Sequence, residues 1–139
     1  MSPREQSIEL LTRYYHLFNL GDREAFLELL SDEVRHDINQ GHSEVGRQKF
    51  CEFLQKMDRS YKERVEELEV FVNEDGTRGA AEFYIHGTYL ATDEGLPPAK
   101  GQTYRLRVGA FFDIRHSRIS RVTNYYNLQD WLHQVGAGK

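Results

Sequence analysis

A chain of 139 residues with a formal net charge of −4 fits one domain and can bury a real core without disulfides or metals. The acidic balance, with Lys and Arg scattered along the chain, argues against a nucleic-acid partner, which needs a clustered basic face. The single cysteine, Cys51, excludes an intramolecular disulfide, and no apolar run approaches the ~20 residues that span a bilayer. With no secretory apolar core at the N-terminus, a cytoplasmic protein without a membrane partner is expected.

Residues from about Glu5 to Leu20 predict an amphipathic helix, with Ile8, Leu11, Tyr15 and Phe18 at helical spacing and Leu10, Tyr14 and Leu17 widening the stripe. Gly21 ends it, and Asp22 can cap the next helix, which carries Ala25, Phe26, Leu29 and Leu30 and stops near Ser31-Asp32. A short strand from Val34 to about Gln40 follows, then a loop from Gly41 to Val45. A third helix opens near Gly46, with Phe50, Phe53, Leu54 and Met57 on one face and Cys51 inside it as packing filler.

Beyond Ser60 the period changes to two, and Glu66, Leu68, Val70 and Val72 alternate with Glu67, Glu69, Phe71 and Asn73. Asp75-Gly76 supplies hairpin chemistry before a strand from Ala80 to Thr92. A polar loop, Asp93 to Gly101, leads to a strand from Gln102 to Arg115, a turn at His116-Ser117 and a last strand from Arg118 to about Asn127. Leu128, Trp131, Leu132 and Val135 form a short amphipathic tail. The order α-α-β-α followed by four strands makes this an α+β chain, and nothing in residues 1–139 marks a second domain.

No His, Cys, Asp and Glu set has metal-ligand spacing, and no phosphate loop, nucleophile elbow or Cys–His pair occurs, so neither a metal nor another cofactor is expected. The chemistry must come from ordinary side chains. His36 and Asp37 are neighbours in the first strand, and alternation places them on opposite faces. If Asp37 faces the interior, Asn39 accompanies it. If the register goes the other way, His36 with Gln40 faces in, and His36 is the base suited to neutral pH. Tyr14 lies on a helix face made of Leu10, Leu17 and Phe18, and Tyr15 is one position round. His86 is in phase with Tyr84 and Glu82, opposite Phe83, Ile85 and Tyr89, where a lone His is more often a surface residue. The chain has eight Tyr and eight Phe, of which most must be core and a subset can line an apolar cavity.

The element order, together with Arg13-Tyr14, Leu17-Phe18-Asn19-Leu20-Gly21-Asp22, the Asp37 strand, Gly46 opening a helix with Phe50 and Phe53, and the Arg118-Ile119 strand, resembles the nuclear-transport-factor-2-like fold. The resemblance is closest to its ketosteroid-isomerase-related, SnoaL-like group. It implies three N-terminal helices packed on a curved, mostly antiparallel sheet around a conical cavity. By this resemblance Asp37, after a one-residue deletion, takes the place of the isomerase's general base; without the gap that place falls on Ile38. Tyr14 matches the oxyanion-donating tyrosine without a gap. The isomerase's second donor, an acid, would fall near Gly109 or Ala110, where none stands, and Asp113 is too far along the strand. The last-strand Asp of SnoaL-type cyclases corresponds to Asn124, which can hydrogen-bond a ligand but cannot act as a base. The Asp-Arg-Asp set of epoxide hydrolases is not evident.

The resemblance therefore implies cofactor-free proton transfer beside a carbonyl of a small hydrophobic ligand, with Asp37, Tyr14 and His36 as the catalytic set. Asn39, Tyr15, Phe53, Tyr84, His86, Phe111, Asn124 and Tyr126 are the expected ligand contacts. The alternative is a ligand-binding or dimerisation module of the same fold without catalysis. An outer sheet face carrying Val, Phe and Tyr beside Arg predicts a homodimer.

Overall fold

The structure is a computed structural model that describes residues 1–38 and 41–136. Helix α1 (Pro3–Leu20) starts two residues before the hydrophobic spacing does, because its N-terminus is set by polar chemistry. Ser2 accepts from the Glu5 N–H at 3.1 Å while Glu5 accepts from the Ser2 N–H at 3.0 Å, with Pro3 in the first turn. Gly21, at φ 76°, turns the chain out of the helix and its N–H bonds the Leu17 carbonyl. Helix α2 (Arg23–Glu28) follows at once, its N-terminus capped by Asp22.

This second helix is shorter than the spacing predicts. Leu30 begins strand β1 (Leu30–Asp37), and there it pairs with Ile119, both fully buried. A leucine satisfies either pattern, and burial inside the sheet outweighs local periodicity. The segment expected as loop contains a short strand, β2 (Ser43–Val45), antiparallel to β1. Helix α3 (Arg47–Ser60) then runs directly into β3 (Tyr61–Val72). Strands β4 (Arg78–Tyr89), β5 (Thr103–Arg115) and β6 (Arg118–Tyr126) follow, and helix α4 (Leu128–Val135) ends the described chain.

The six strands form one sheet in the order β2-β1-β6-β5-β4-β3. All pairings are antiparallel except β1 with β6, which is parallel. Strand β1 is therefore interior, its register held from both sides. Strand β3 lies at the far edge, and Asn19 covers part of that edge. Its side-chain amide donates to the Val65 carbonyl at 2.9 Å and accepts from the Val65 N–H at 2.8 Å, replacing a strand neighbour.

Strand β3 also departs from the expected alternation. Its pairing with β4 slips between Glu66 and Glu69, and Glu67 sits at φ 55°. This bulge puts Val65 and Leu68 on the core side and turns Glu66 outward to His86. The inner face of the remaining sheet, with Phe83, Ile85, Leu106, Val108, Phe112 and Val122, packs on Leu11, Tyr14, Tyr15 and Leu17 of α1.

Gly87 has a packing role. Glu63, Gly87 and Tyr104 are register partners across β3, β4 and β5, and the Tyr104 ring lies over Gly87. A Cβ at position 87 would overlap the Tyr104 ring, which has strands on both sides of it. Gly87→Ala should therefore cost about 1–3 kcal/mol, read as a lowered urea midpoint at unchanged slope.

Candidate functional site

The curved sheet and the three N-terminal helices enclose a cavity of about 370 Å³, large enough for a multi-ring ligand. Most of its wall is aromatic or aliphatic, including Tyr14, Phe26, Phe50, Phe53, Phe83, Leu106 and Trp131. Polar groups enter from two walls. His36, Asn124 and Tyr126 come from β1 and β6, whereas Tyr61 and Glu63 come from β3.

His36, not Asp37, faces this cavity. Val34 and His36 are both buried, at 0% and 3% exposure, and Ile38 lines the cavity in the same phase. The His36 ring stacks on Phe50 at 4.3 Å and meets Phe53 edge-on at 4.6 Å. Its Nδ1 is buried without a hydrogen-bond partner. Burial pushes the imidazole pKa down to about 4, against smaller opposing pulls from Glu44 and Asp37, so His36 is neutral at neutral pH.

This burial has a consequence for stability. An unfolded histidine titrates near pH 6.5, so the unfolded chain takes up this proton first as the pH falls. The folded state is therefore penalised progressively between about pH 6.5 and 4, and not above that window. Between pH 7 and pH 4.5 the wild type should lose about 2 kcal/mol more than His36→Gln, measured by urea unfolding at both pH values.

Asp37 was expected as the general base, and the structure corrects that expectation. Its carboxylate points to the outer face, where it accepts from Arg35 Nε at 2.7 Å, Ser43 Oγ at 2.6 Å and Thr123 Oγ1 at 2.6 Å. Burial alone would raise its pKa, but these hydrogen bonds outweigh it and hold the carboxyl well below the usual range. A carboxylate so saturated with donors is a poor proton acceptor. The reason for its orientation is the register, which pairs His36 with Val122 and Asp37 with Thr123.

Tyr14 and Tyr15 both line the cavity. The Tyr14 ring lies 4.4 Å from Phe26 and meets Phe112 edge-on at 5.4 Å. Burial raises the pKa of both phenols, more than the Arg23 guanidinium lowers that of Tyr14, so both remain neutral hydrogen-bond donors. Phe53, Asn124 and Tyr126 also line the cavity, as expected. Asn39 and Gln40 lie outside the described residues.

Three expected ligand contacts stand elsewhere. Tyr84, His86 and Phe111 are on the outer face, because Phe83, Ile85, Ala110 and Phe112 take the inner positions of the same strands. Tyr84 lies 3.6 Å beneath the Arg105 guanidinium and accepts from Arg107 Nη2 at 2.8 Å. His86 Nε2 is 3.3 Å from Glu66 and accepts from Arg105 Nε at 3.0 Å. Phe111 packs edge-on against Tyr125 at 5.8 Å.

On the inner face, Ala110 is fully buried where the isomerase resemblance would require an acid, and Asp113 is bound outside by Arg78 and Arg121. Residues missed by the sequence reading include Glu63, Tyr61, Arg23 and Asp93, all on the cavity wall. Tyr61 and Glu63 share the phase of buried Val65, a signal hidden by starting the alternation at Glu66, where the slip begins. Among the described residues no cluster of three or more His, Cys, Asp or Glu could hold a metal, and no helix is long and apolar enough to cross a membrane.

The comparisons agree with this architecture. The model of the SnoaL-like domain matches residues 11–122. A candidate polyketide cyclase from Pseudomonas putida is 54% identical, covers 98% of this chain and 99% of its own, and superposes with a TM-score of 0.93. Another from Xanthomonas campestris is 52% identical, over 97% and 100%, with a TM-score of 0.94. An NTF2-like protein from Anabaena variabilis, 21% identical over 88% and 90%, has the same fold at a TM-score of 0.71. No curated protein matches the chain. A cone of sheet and helices around an apolar cavity, matched along most of its length, makes this chain a member of the SnoaL-like family on the nuclear-transport-factor-2-like fold.

Proposed function

We propose that this protein is a cofactor-free enzyme that moves a proton beside a carbonyl of a hydrophobic ligand in the cavity, with His36 as the base. The observation that supports the reading is a neutral, buried imidazole facing an aromatic cavity, its Nδ1 without a protein partner. His36 Nε2 takes the proton from the carbon next to the carbonyl, and the C–H electrons move into an enolate. Asn124 is the donor for that oxygen, since Val122 is the register partner of His36 and Asn124 follows two residues on along the same face. Tyr14 is separated from His36 by the Phe50 and Phe26 rings, so it donates to a second carbonyl of the same ligand.

The imidazolium then returns its proton either to carbon, giving isomerisation, or to the alkoxide formed when the enolate carbon attacks another carbonyl, giving ring closure. The naming of the P. putida and X. campestris relatives as candidate polyketide cyclases favours ring closure. Tyr14→Phe should lower turnover by about 10²-fold with little change in ligand affinity, because the donor is worth most to developing negative charge. Steady-state kinetics that put the whole effect in binding would remove Tyr14 from this role.

A second reading, a ligand-binding module without catalysis, is favoured by apolar Ala110 at the missing acid's position. Ligand binding without any α-proton exchange would select it.

We further propose that two copies pair through the outer sheet face, in a cytoplasmic setting that the lone cysteine suits. Phe71, Phe111 and Tyr125 are 57%, 44% and 56% exposed there, Phe111 and Tyr125 on the neighbouring strands β5 and β6 and Phe71 on β3, across Ala80 of β4 from Phe111. Light scattering at micromolar concentration should give the mass of two chains, and Phe111→Lys should return that of one. A monomeric wild type would end the dimer proposal.

A further inference from the structure

We infer that Glu63 is a second recognition group, which accepts a hydrogen bond from a neutral hydroxyl at the end of the ligand remote from His36, and that Tyr104 positions it. The inference rests on the reading of the cavity as a small-ligand site and names a property of that ligand.

The sheet separates the two groups. His36 is on β1 and Glu63 on β3, with β6, β5 and β4 between them, so four interstrand steps of about 4.8 Å run along the curved wall. They therefore address opposite ends of a ligand. Glu63 is held by a specific device. The register row Glu63–Gly87–Tyr104 has no side chain at its centre, which lets the Tyr104 ring lie across the strand and donate to Glu63 Oε2 at 2.6 Å. Trp131 holds the other side of that ring, edge-on at 5.9 Å. Tyr104 thus occupies Oε2 and leaves Oε1 to the cavity that Glu63 lines.

The surroundings select the donor. Burial raises the pKa of the Glu63 carboxyl, against the Tyr104 hydrogen bond and the more distant Arg23, whose guanidinium is held by Asp58 at 2.6 and 3.0 Å; Lys56, 4.0 Å from Asp93, also lines the cavity. Both cations are already paired with carboxylates, and burial disfavours the charged form of Glu63 that an ammonium partner would need. A neutral alcohol or phenol makes the hydrogen bond without that requirement.

The test compares 6-acetyl-2-naphthol with 2-acetylnaphthalene, which lacks only the hydroxyl, by fluorescence titration of the intact protein. The naphthol should bind about tenfold more tightly to the wild type, as one well-made buried hydrogen bond allows. This ratio should fall to about one in Glu63→Leu/Tyr104→Phe, where both partners are removed together and no polar atom is orphaned. Tyr104→Phe alone should lower the ratio severalfold, whereas Asp37→Asn, whose side chain points away from the cavity, should leave it unchanged. Equal binding of the two probes to the wild type, a ratio that survives in the double variant, or binding of neither probe would overturn the inference. Exchange of the acetyl protons into D₂O separates it from the proposed chemistry: a hydroxyl preference without exchange retains Glu63 and rejects proton transfer, and exchange without preference does the reverse.

Discussion

His36→Gln should reduce protein-catalysed exchange of the acetyl protons of 2-acetylnaphthalene into D₂O by about 10²–10⁴-fold, followed by NMR. Glutamine keeps a polar group of similar reach on the same strand face but cannot take a proton. The wild-type imidazole is already neutral at pH 7, so the exchange of His for Gln removes a base without removing a charge. The pH profile adds a second reading of the same group. Because burial lowers the pKa of His36 to about 4, exchange should rise through that pH and level off by about pH 6. A base with an ordinary histidine pKa would still be rising near pH 6.5. Exchange that is unaffected by His36→Gln would end the proposed mechanism. Asp37→Asn serves as the control, since its side chain points away from the cavity and its removal should leave exchange intact.

Asp37→Ala should instead cost about 1–3 kcal/mol of stability. The carboxylate joins three strands, accepting from Arg35 on its own strand, Ser43 on β2 and Thr123 on β6. Its removal takes one acceptor from the buried Thr123 hydroxyl and takes from Arg35 its counter-charge, whereas Arg121 keeps Asp113. The side chain is 24% exposed, and solvent screening keeps the loss from being larger. The sign with pH follows from the lowered pKa. The stabilisation is present in full above the unfolded carboxyl value near 4 and is lost as the pH falls through the folded one. Wild type and Asp37→Ala should therefore differ most at pH 7 and converge in acid, as read by urea unfolding. A variant as stable as the wild type at pH 7 would show that the network contributes nothing.

The reversal at Asp37 shows where sequence reasoning succeeds and where it stops. Val34 and Ile38 are apolar and share the phase of His36, a signal that the reading of the two open registers did not use. The preference for Asp37 came from aligning the strand to ketosteroid isomerases through a one-residue gap. The interior position of β1, paired with both β2 and β6, decided the matter, because a one-residue slip would expose Val34 and bury a carboxylate. Tyr84, His86 and Phe111 follow the same rule. Alternation with Phe83, Ile85 and Phe112 put them outside, and their aromatic or titratable character carried no information about the face.

By itself the sequence determined the element order apart from β2, the three helices against a long-stranded sheet, the hairpin turns and the family. Those features depend on local periodicity and on turn and cap residues, which a single segment carries. Tyr14, Tyr15, Phe53, Asn124 and Tyr126 were also legible as cavity residues, the phenols from their helix face and Asn124 from the resemblance. Only the tertiary structure decided which of His36 and Asp37 faces the ligand, brought Glu63 into the cavity past the β3 bulge, and laid Tyr104 across Gly87 to hold it. Facing in a sheet is set by pairing between strands distant in sequence, Asp37 and Thr123 being 86 residues apart, and a bulge changes it without any local signature.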